Sequence, residues 1–157
     1  MRSSETPHCP VCDSLLYVSG SRKRRLREAD GSQSILIVRR LRCGHCCRIH
    51  HELPDAVVPY KRYCSETVEE ILSGKDSSTY PCENSTAARL RTWFLLLREY
   101  CESALTAIMH LYKQDRQLKE ELSALIPLDP AVLPAGWLKK VVRALVGAGF
   151  WQQTRSA

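Results

Sequence analysis

Cys9-Pro10-Val11-Cys12 and Cys43-Gly44-His45-Cys46 are two C-x2-C hooks separated by thirty residues of basic, strand-like sequence. Two tight loops that each offer a pair of thiolates make the donor set that a tetrahedral zinc ion (Zn2+) takes. Pro10 and Gly44 are turn-formers of the kind such loops need. The interval is longer than the commonest spacing of these sites, and the excess falls in a Gly/Ser/Arg-rich stretch that reads as a hairpin loop. Two rival chemistries share the pattern. One is a thiol-redox pair, which usually comes as a single copy on a βαβ unit; the other is a pair of disulfides. Eight cysteines behind an N-terminus with no apolar signal segment favour a reducing, cytoplasmic setting and thiolates on metal.

Other groups crowd the second hook. His45, His50 and His51 could each replace a cysteine ligand or hold a second ion, and Cys47 is an alternative ligand if Cys46 turns away. Cys64, Cys82 and Cys101 read as small buried hydrophobes. His50-His51-Glu52 near Cys47 or Cys64 is a nucleophile-and-base arrangement by sequence proximity only. The chain has no nucleophile elbow, no phosphate loop, no H-E-x-x-H and no set of three clustered carboxylates. The expectation is therefore a protein without catalysis of its own and without a small-molecule substrate, at most an accessory of a transposition system.

Charge narrows the partner. Residues 1–63 hold twelve Lys/Arg against six Asp/Glu, while residues 64–157 hold eleven of each. All of the net charge of +6 thus sits on the metal half. Clustered cations are what phosphate backbones require. No run of about eighteen apolar residues is present, so no membrane-spanning helix is expected.

These groups must be positioned by an α+β chain. Leu15 to Val18 reads as a short strand closed by Ser19-Gly20-Ser21. The cation run Arg22-Lys23-Arg24-Arg25-Leu26-Arg27 then reads as a hairpin tip, followed by the turn signal Ala29-Asp30-Gly31-Ser32. Ser34 to Arg42 is a second strand that delivers the chain into the second hook. Hook, hairpin and hook make a zinc ribbon over residues 1–52, too small to fold without its metal. Residues 53–63 form an extended connector with Pro54 and Pro59, and in its Tyr60-Lys61-Arg62-Tyr63 cluster the aromatics seal the modules while Lys61 and Arg62 stay solvated.

Ser65 is the expected N-cap of a short helix, 66–73, with Gly74 at its end. Asn84 or Ser85 is expected to cap a long amphipathic helix with Leu90, Phe94, Leu97, Cys101, Leu105, Ile108 and Tyr112 on one face. A stretch at 116–126 continues or follows it, and Trp137 to Val146 is the last helix. The aromatics of the tail, Phe150 and Trp151, pack. Residues 64–98 match a helix-turn-helix, with 99–157 a C-terminal helical region.

In that motif the second helix enters the major groove by its N-terminal residues, here Ser85, Thr86 and Arg89 with Asn84 and Arg91 nearby. Arg22, Lys23, Arg24, Arg25 and Arg27 would hold phosphates, with Lys61 and Arg62 as secondary contacts. Double-stranded DNA is the expected partner, with a second copy of the chain (a homodimer) as a further one. The alternative is a zinc-ribbon protein-interaction module with an oligomerising helical region.

Taken together, Cys9-x-x-Cys12, Arg39-x-x-Arg42-Cys43-x-x-Cys46, His51-x-Leu53-Pro54, Val58 to Tyr63, and Cys82-Glu83-x-Ser85-Thr86 with Trp93 resemble an uncharacterised bacterial domain-of-unknown-function family. That family joins a zinc ribbon to a helix-turn-helix and is similar to the DNA-binding front end of insertion-sequence transposases. The resemblance covers roughly residues 7–96. It implies a mobile-element type of DNA-binding protein with zinc on Cys9, Cys12, Cys43 and Cys46. Cys47 departs from the family's pattern, in which a polar residue follows the second hook.

Overall fold

A computed structural model describes residues 7–54, 56–74 and 80–151. Its order is β1 (Leu16–Arg27), β2 (Gln33–Cys43), β3 (Ile49–His51), α1 (Ser65–Leu72), α2 (Asn84–Leu111), α3 (Arg116–Ser123) and α4 (Trp137–Gly147). The α+β expectation holds: an antiparallel sheet in the order β1-β2-β3 comes first, and the helices follow.

The cation run is not a hairpin tip. β1 carries it as strand, paired from Leu16↔Cys43 to Arg27↔Gln33. The Ser19-Gly20 signal that seemed to close a strand is absorbed instead by a register irregularity between Val18 and Gly20. The reversal lies at Ala29 to Ser32, where Gly31 takes φ +82° and the Ser32 amide donates to Asp30 Oδ1 at 2.8 Å. Alternation along the paired strands buries Leu26 and Val38 and half-buries Arg24 and Leu36, and it leaves Lys23, Ile35 and Ile37 exposed.

Three apolar clusters form among the described residues. The ribbon's own is minute: Leu16 and Leu41 with the buried sulfurs of Cys9 and Cys43. A second, Leu26, Val57 and Cys64, joins the far end of the hairpin to the connector. The large core belongs to the helices, where α2 contributes Leu90, Trp93, Phe94, Leu97, Cys101, Leu105 and Ile108 at spacings of three and four. Tyr112, expected on that face, instead follows the helix end and is half exposed. α3 follows α2 as a separate helix whose Asp115 cap accepts from the Leu118 amide. Phe150 and Trp151 pack on the helical core, as expected of the tail; residues 152–157 lie outside the described residues.

Two caps differ from the sequence reading. Cys64, not Ser65, precedes α1, and Ser65 is a buried first-turn residue whose hydroxyl has no partner among the described residues. Glu83 precedes α2, so Asn84 and Ser85 are its first residues and no side chain caps it. Residues 73–83 separate α1 from α2. That is far longer than the three or four residues of a helix-turn-helix turn, so the compact motif expected over 64–98 does not describe this pair.

The last helix is capped from a distance. Gly136, at φ +86°, offers α4 no side chain, and the carboxylate of Glu69 on α1 fills the role. Its oxygens accept from the amides of Gly136 and Leu138, both at 2.8 Å. A carboxylate at a helix N-terminus satisfies orphan N–H groups and complements the dipole, so this bond pair fixes where α4 sits.

Candidate metal centre and the cleft beside it

The four sulfurs of Cys9, Cys12, Cys43 and Cys46 lie within 4.8 Å of one another. Cys9 Sγ is 3.6 Å from Cys46 Sγ, and Cys12 Sγ is 3.4 Å from Cys43 Sγ. Four ligands at about 2.3 Å on a tetrahedron stand about 3.8 Å apart, so the cluster has nearly the dimensions of a Zn2+ site. Disulfide sulfurs stand about 2.05 Å apart, far closer than these. The donor set could thus bind a metal ion such as zinc.

The two hooks are built alike. In the first, the Cys9 amide donates to Ser14 O at 2.9 Å; in the second, the Cys43 amide donates to Arg48 O at 3.0 Å. Each hook places the residue after its second cysteine in the left-handed region, Asp13 at φ +56° and Cys47 at φ +57°. That explains Cys47. It is exposed, it lies outside the four-sulfur cluster, and it occupies a backbone position that glycine, aspartate and asparagine tolerate best. Cys47→Gly should therefore leave metal content unchanged and raise stability by about 1 kcal/mol, as read by chemical denaturation of the metal-loaded protein. A lost equivalent of metal in that variant would return Cys47 to the ligand set.

Electrostatics at the cluster would favour a bound cation. The backbone and hydroxyl of Ser14 draw Cys12 down to about 5. The backbone bond from Arg48 favours the Cys46 thiolate, yet desolvation and the neighbouring thiols outweigh it and push Cys46 up to about 12. Cys12 thus ionises readily while Cys46 is held back, and a divalent ion among the sulfurs would favour the thiolate at both. Of the three histidines, His45 is exposed and outside the cluster, whereas His50 Nε2 lies 3.4 Å from Cys9 Sγ, beside the sulfurs. Desolvation, with Arg22 and Arg40 close by, lowers the pKa of His51. Cys64, which meets Thr67 Oγ1 at 3.2 Å, and Cys101, pushed up to about 12 by burial, are buried as expected, whereas Cys82 is only half-buried.

Beside the ribbon opens a cleft of about 1650 Å³, walled by the sheet, the connector and α4. Among the described residues, eight Lys/Arg line it against a single acid, Glu52, which is already held by a two-point ion pair with Arg39. Arg22, Arg25, Arg48 and Arg62 line it with exposed side chains, and Arg143 of α4 stands among the lining residues. Arg48 and Arg143 were not singled out from sequence. Arg48 sits just past the second hook, and Arg143 reaches the ribbon only because α4 docks there.

The expected phosphate contacts divide accordingly. Arg22 and Arg25 line the cleft exposed, and Lys23 is exposed on the strand away from it. Arg24 is half-buried and spends its guanidinium on the carbonyls of Val58 (3.1 Å) and Lys61 (2.6 Å), and desolvation lowers its pKa. Arg27 donates to Pro81 O and lies over the Tyr63 ring. Lys61, expected to be solvated, has its ammonium 4.1 Å from the centre of the Trp93 ring and a pKa lowered by burial. Arg62 is exposed. Ser85 and Arg89 are exposed and Thr86 half-buried, but none of the three lines the cleft. Three of the expected contacts thus tie the ribbon, the connector and the helical body together, because carbonyls and ring faces at those junctions take the cations first.

The family model described as a domain of unknown function (DUF6431) matches residues 9–90. No curated protein and no solved structure matches the chain.

Proposed function

We propose that this chain, which belongs to the domain of unknown function family DUF6431, is a zinc-dependent DNA-binding protein with no catalysis of its own. The observation that carries the reading is the cleft, lined among the described residues by eight cations and one already neutralised carboxylate. A cavity lined by one sign of charge concentrates a polyanion by focusing its field. Its volume also exceeds that of ordinary small-molecule pockets, which suits a polymer better than a metabolite. Zn2+ on Cys9, Cys12, Cys43 and Cys46 would hold the two hooks together and so keep β1 in place. Arg22, Arg25, Arg48 and Arg62 would meet phosphates, while Arg24, Arg27 and Lys61 keep the walls in position. Contacts from Ser85, Thr86 and Arg89 to base edges would need the nucleic acid to extend beyond the cleft. A place beside a transposase-type enzyme rests on the resemblance of the hook and connector motifs.

The test is a salt series. Binding of labelled DNA should weaken with a log–log slope of roughly −4 if those four arginines each neutralise a phosphate. Reversing Arg22, Arg25 and Arg62 to Glu should reduce that slope by about 3 and weaken binding about a hundredfold or more. A salt-independent interaction, or a triple variant that binds like the parent, removes the reading. One observation favours a protein-interaction role as the second reading: Tyr17, Val18, Ile35 and Ile37 on the hairpin are each more than half exposed. Under that reading the charge reversals abolish no binding, and substituting Ile35 and Ile37 by Ser does.

A further inference from the structure

Tyr60 stands where a glycine belongs. The Lys61 amide donates to Val58 O at 3.1 Å, closing a turn with Pro59 and Tyr60 at its centre. Proline fixes a negative φ at the first central position, and Tyr60 has φ +64° at the second, which makes this a type II turn. That second position is a glycine or asparagine site, and a bulky aromatic there is strained. The strain brings no packing in return: Tyr60 is 59% exposed and faces the cleft. Backbone strain at an exposed aromatic is retained where the ring has work to do outside the fold.

Its surroundings supply that work. Arg24 grips both ends of the turn through the carbonyls of Val58 and Lys61, so the ring is presented from a fixed base. Exposed Arg62 is two residues away along the chain, and Arg22 and Arg25 line the same cleft. An aromatic face beside clustered cations, inside a concavity, is the arrangement that takes a single nucleic-acid strand, with phosphates on the cations and a base on the ring. A duplex is read the other way round, by a helix or ribbon projecting into its groove. Here the cations line a concavity bounded by the sheet, the connector and α4.

We propose that the cleft binds single-stranded nucleic acid and that Tyr60 is the platform on which a base stacks. This rests on the DNA-binding reading above and specifies its ligand. The bound segment is short, on the order of four nucleotides, because one ring and one cleft make a single small site. The base is not identified by hydrogen bonding, since stacking accepts any base.

The experiment measures binding of the zinc-loaded full chain by fluorescence anisotropy at low salt. The probes are an oligo-dT, an oligo-rU and a duplex of equal length, and the variants are Tyr60→Gly and Tyr60→Trp. The single strands should bind more tightly than the duplex, with the dT and rU arms assigning the sugar. Tyr60→Gly should weaken single-strand binding about tenfold, whereas Tyr60→Trp retains it. The denaturation midpoint of Tyr60→Gly should stay at or above the parent's, since glycine relaxes the turn, and this separates a binding role from a structural one. Duplex preference, or single-strand binding indifferent to Tyr60→Gly, overturns this inference and leaves DNA binding standing. Failure of all three probes removes both.

Discussion

Stripping the metal with a strong chelator, or replacing Cys9 by Ser, is expected to unfold the ribbon while the helices stay folded. The two halves differ in what holds them. The hook end of the ribbon has only Leu16, Leu41 and the cysteines themselves, and its four sulfurs repel one another as soon as more than one ionises. A structural Zn2+ in such a module contributes about 10–16 kcal/mol that nothing else replaces. The helical core of Leu90, Phe94, Leu105, Trp137 and Leu145 contains no ligand and needs no metal. Hydrogen exchange should therefore show loss of amide protection over Leu16–Val18 and Leu41–Ile49, with the far-UV helical signal largely kept. The turn-end pairs near Leu26 should open last, because Leu26 packs with Val57 and Cys64 of the connector. DNA retention should disappear with the metal. Strands that keep their protection after complete chelation would show that the sulfurs do not carry the ribbon.

The second large effect is expected at Glu69, a residue far from any ligand. Glu69→Gln should lower stability by about 2–4 kcal/mol in a denaturant titration. Its carboxylate accepts the Gly136 and Leu138 amides in a nearly dry setting, and charge-assisted bonds of this kind are worth about 1.5–3 kcal/mol each. An amide in its place turns at least one N–H toward another N–H. The loss should loosen α4 and with it the wall that carries Val142, Arg143 and Val146, so DNA affinity should fall together with stability. Glu66, one turn away on α1 and paired with Lys139 at 2.7 Å, is more exposed; Glu66→Gln should cost less than about 1 kcal/mol. Equal costs at the two positions would mean that the carboxylate does not cap the helix.

Much of the fold was legible in the sequence, and its failures share one physical origin. The two hooks, the turn at Ala29 to Ser32, the face of α2 and the start of α4 all depend on neighbours in sequence, through turn chemistry or helical period. The strand that holds the cation run was missed because Ser19-Gly20 looks like a turn locally. Only its partner β2, which continues to pair on both sides, turns it into an irregularity in a longer strand. Glu69 could not be recognised as a cap for α4, since the two ends meet across nearly seventy residues. Arg24 and Lys61 were read as free cations for the same reason: their carbonyl and ring partners come from other segments. The left-handed sites at Asp13 and Cys47 were within reach, because both follow the last cysteine of a C-x2-C hook.

Arg24 holds the turn through main-chain oxygens, which every residue type provides. The identity of the side chain at position 60 is thus decoupled from the clamp beneath it. Under the proposed stacking role, substitutions there would change what the surface accepts while the main-chain clamp that joins ribbon and connector stays in place.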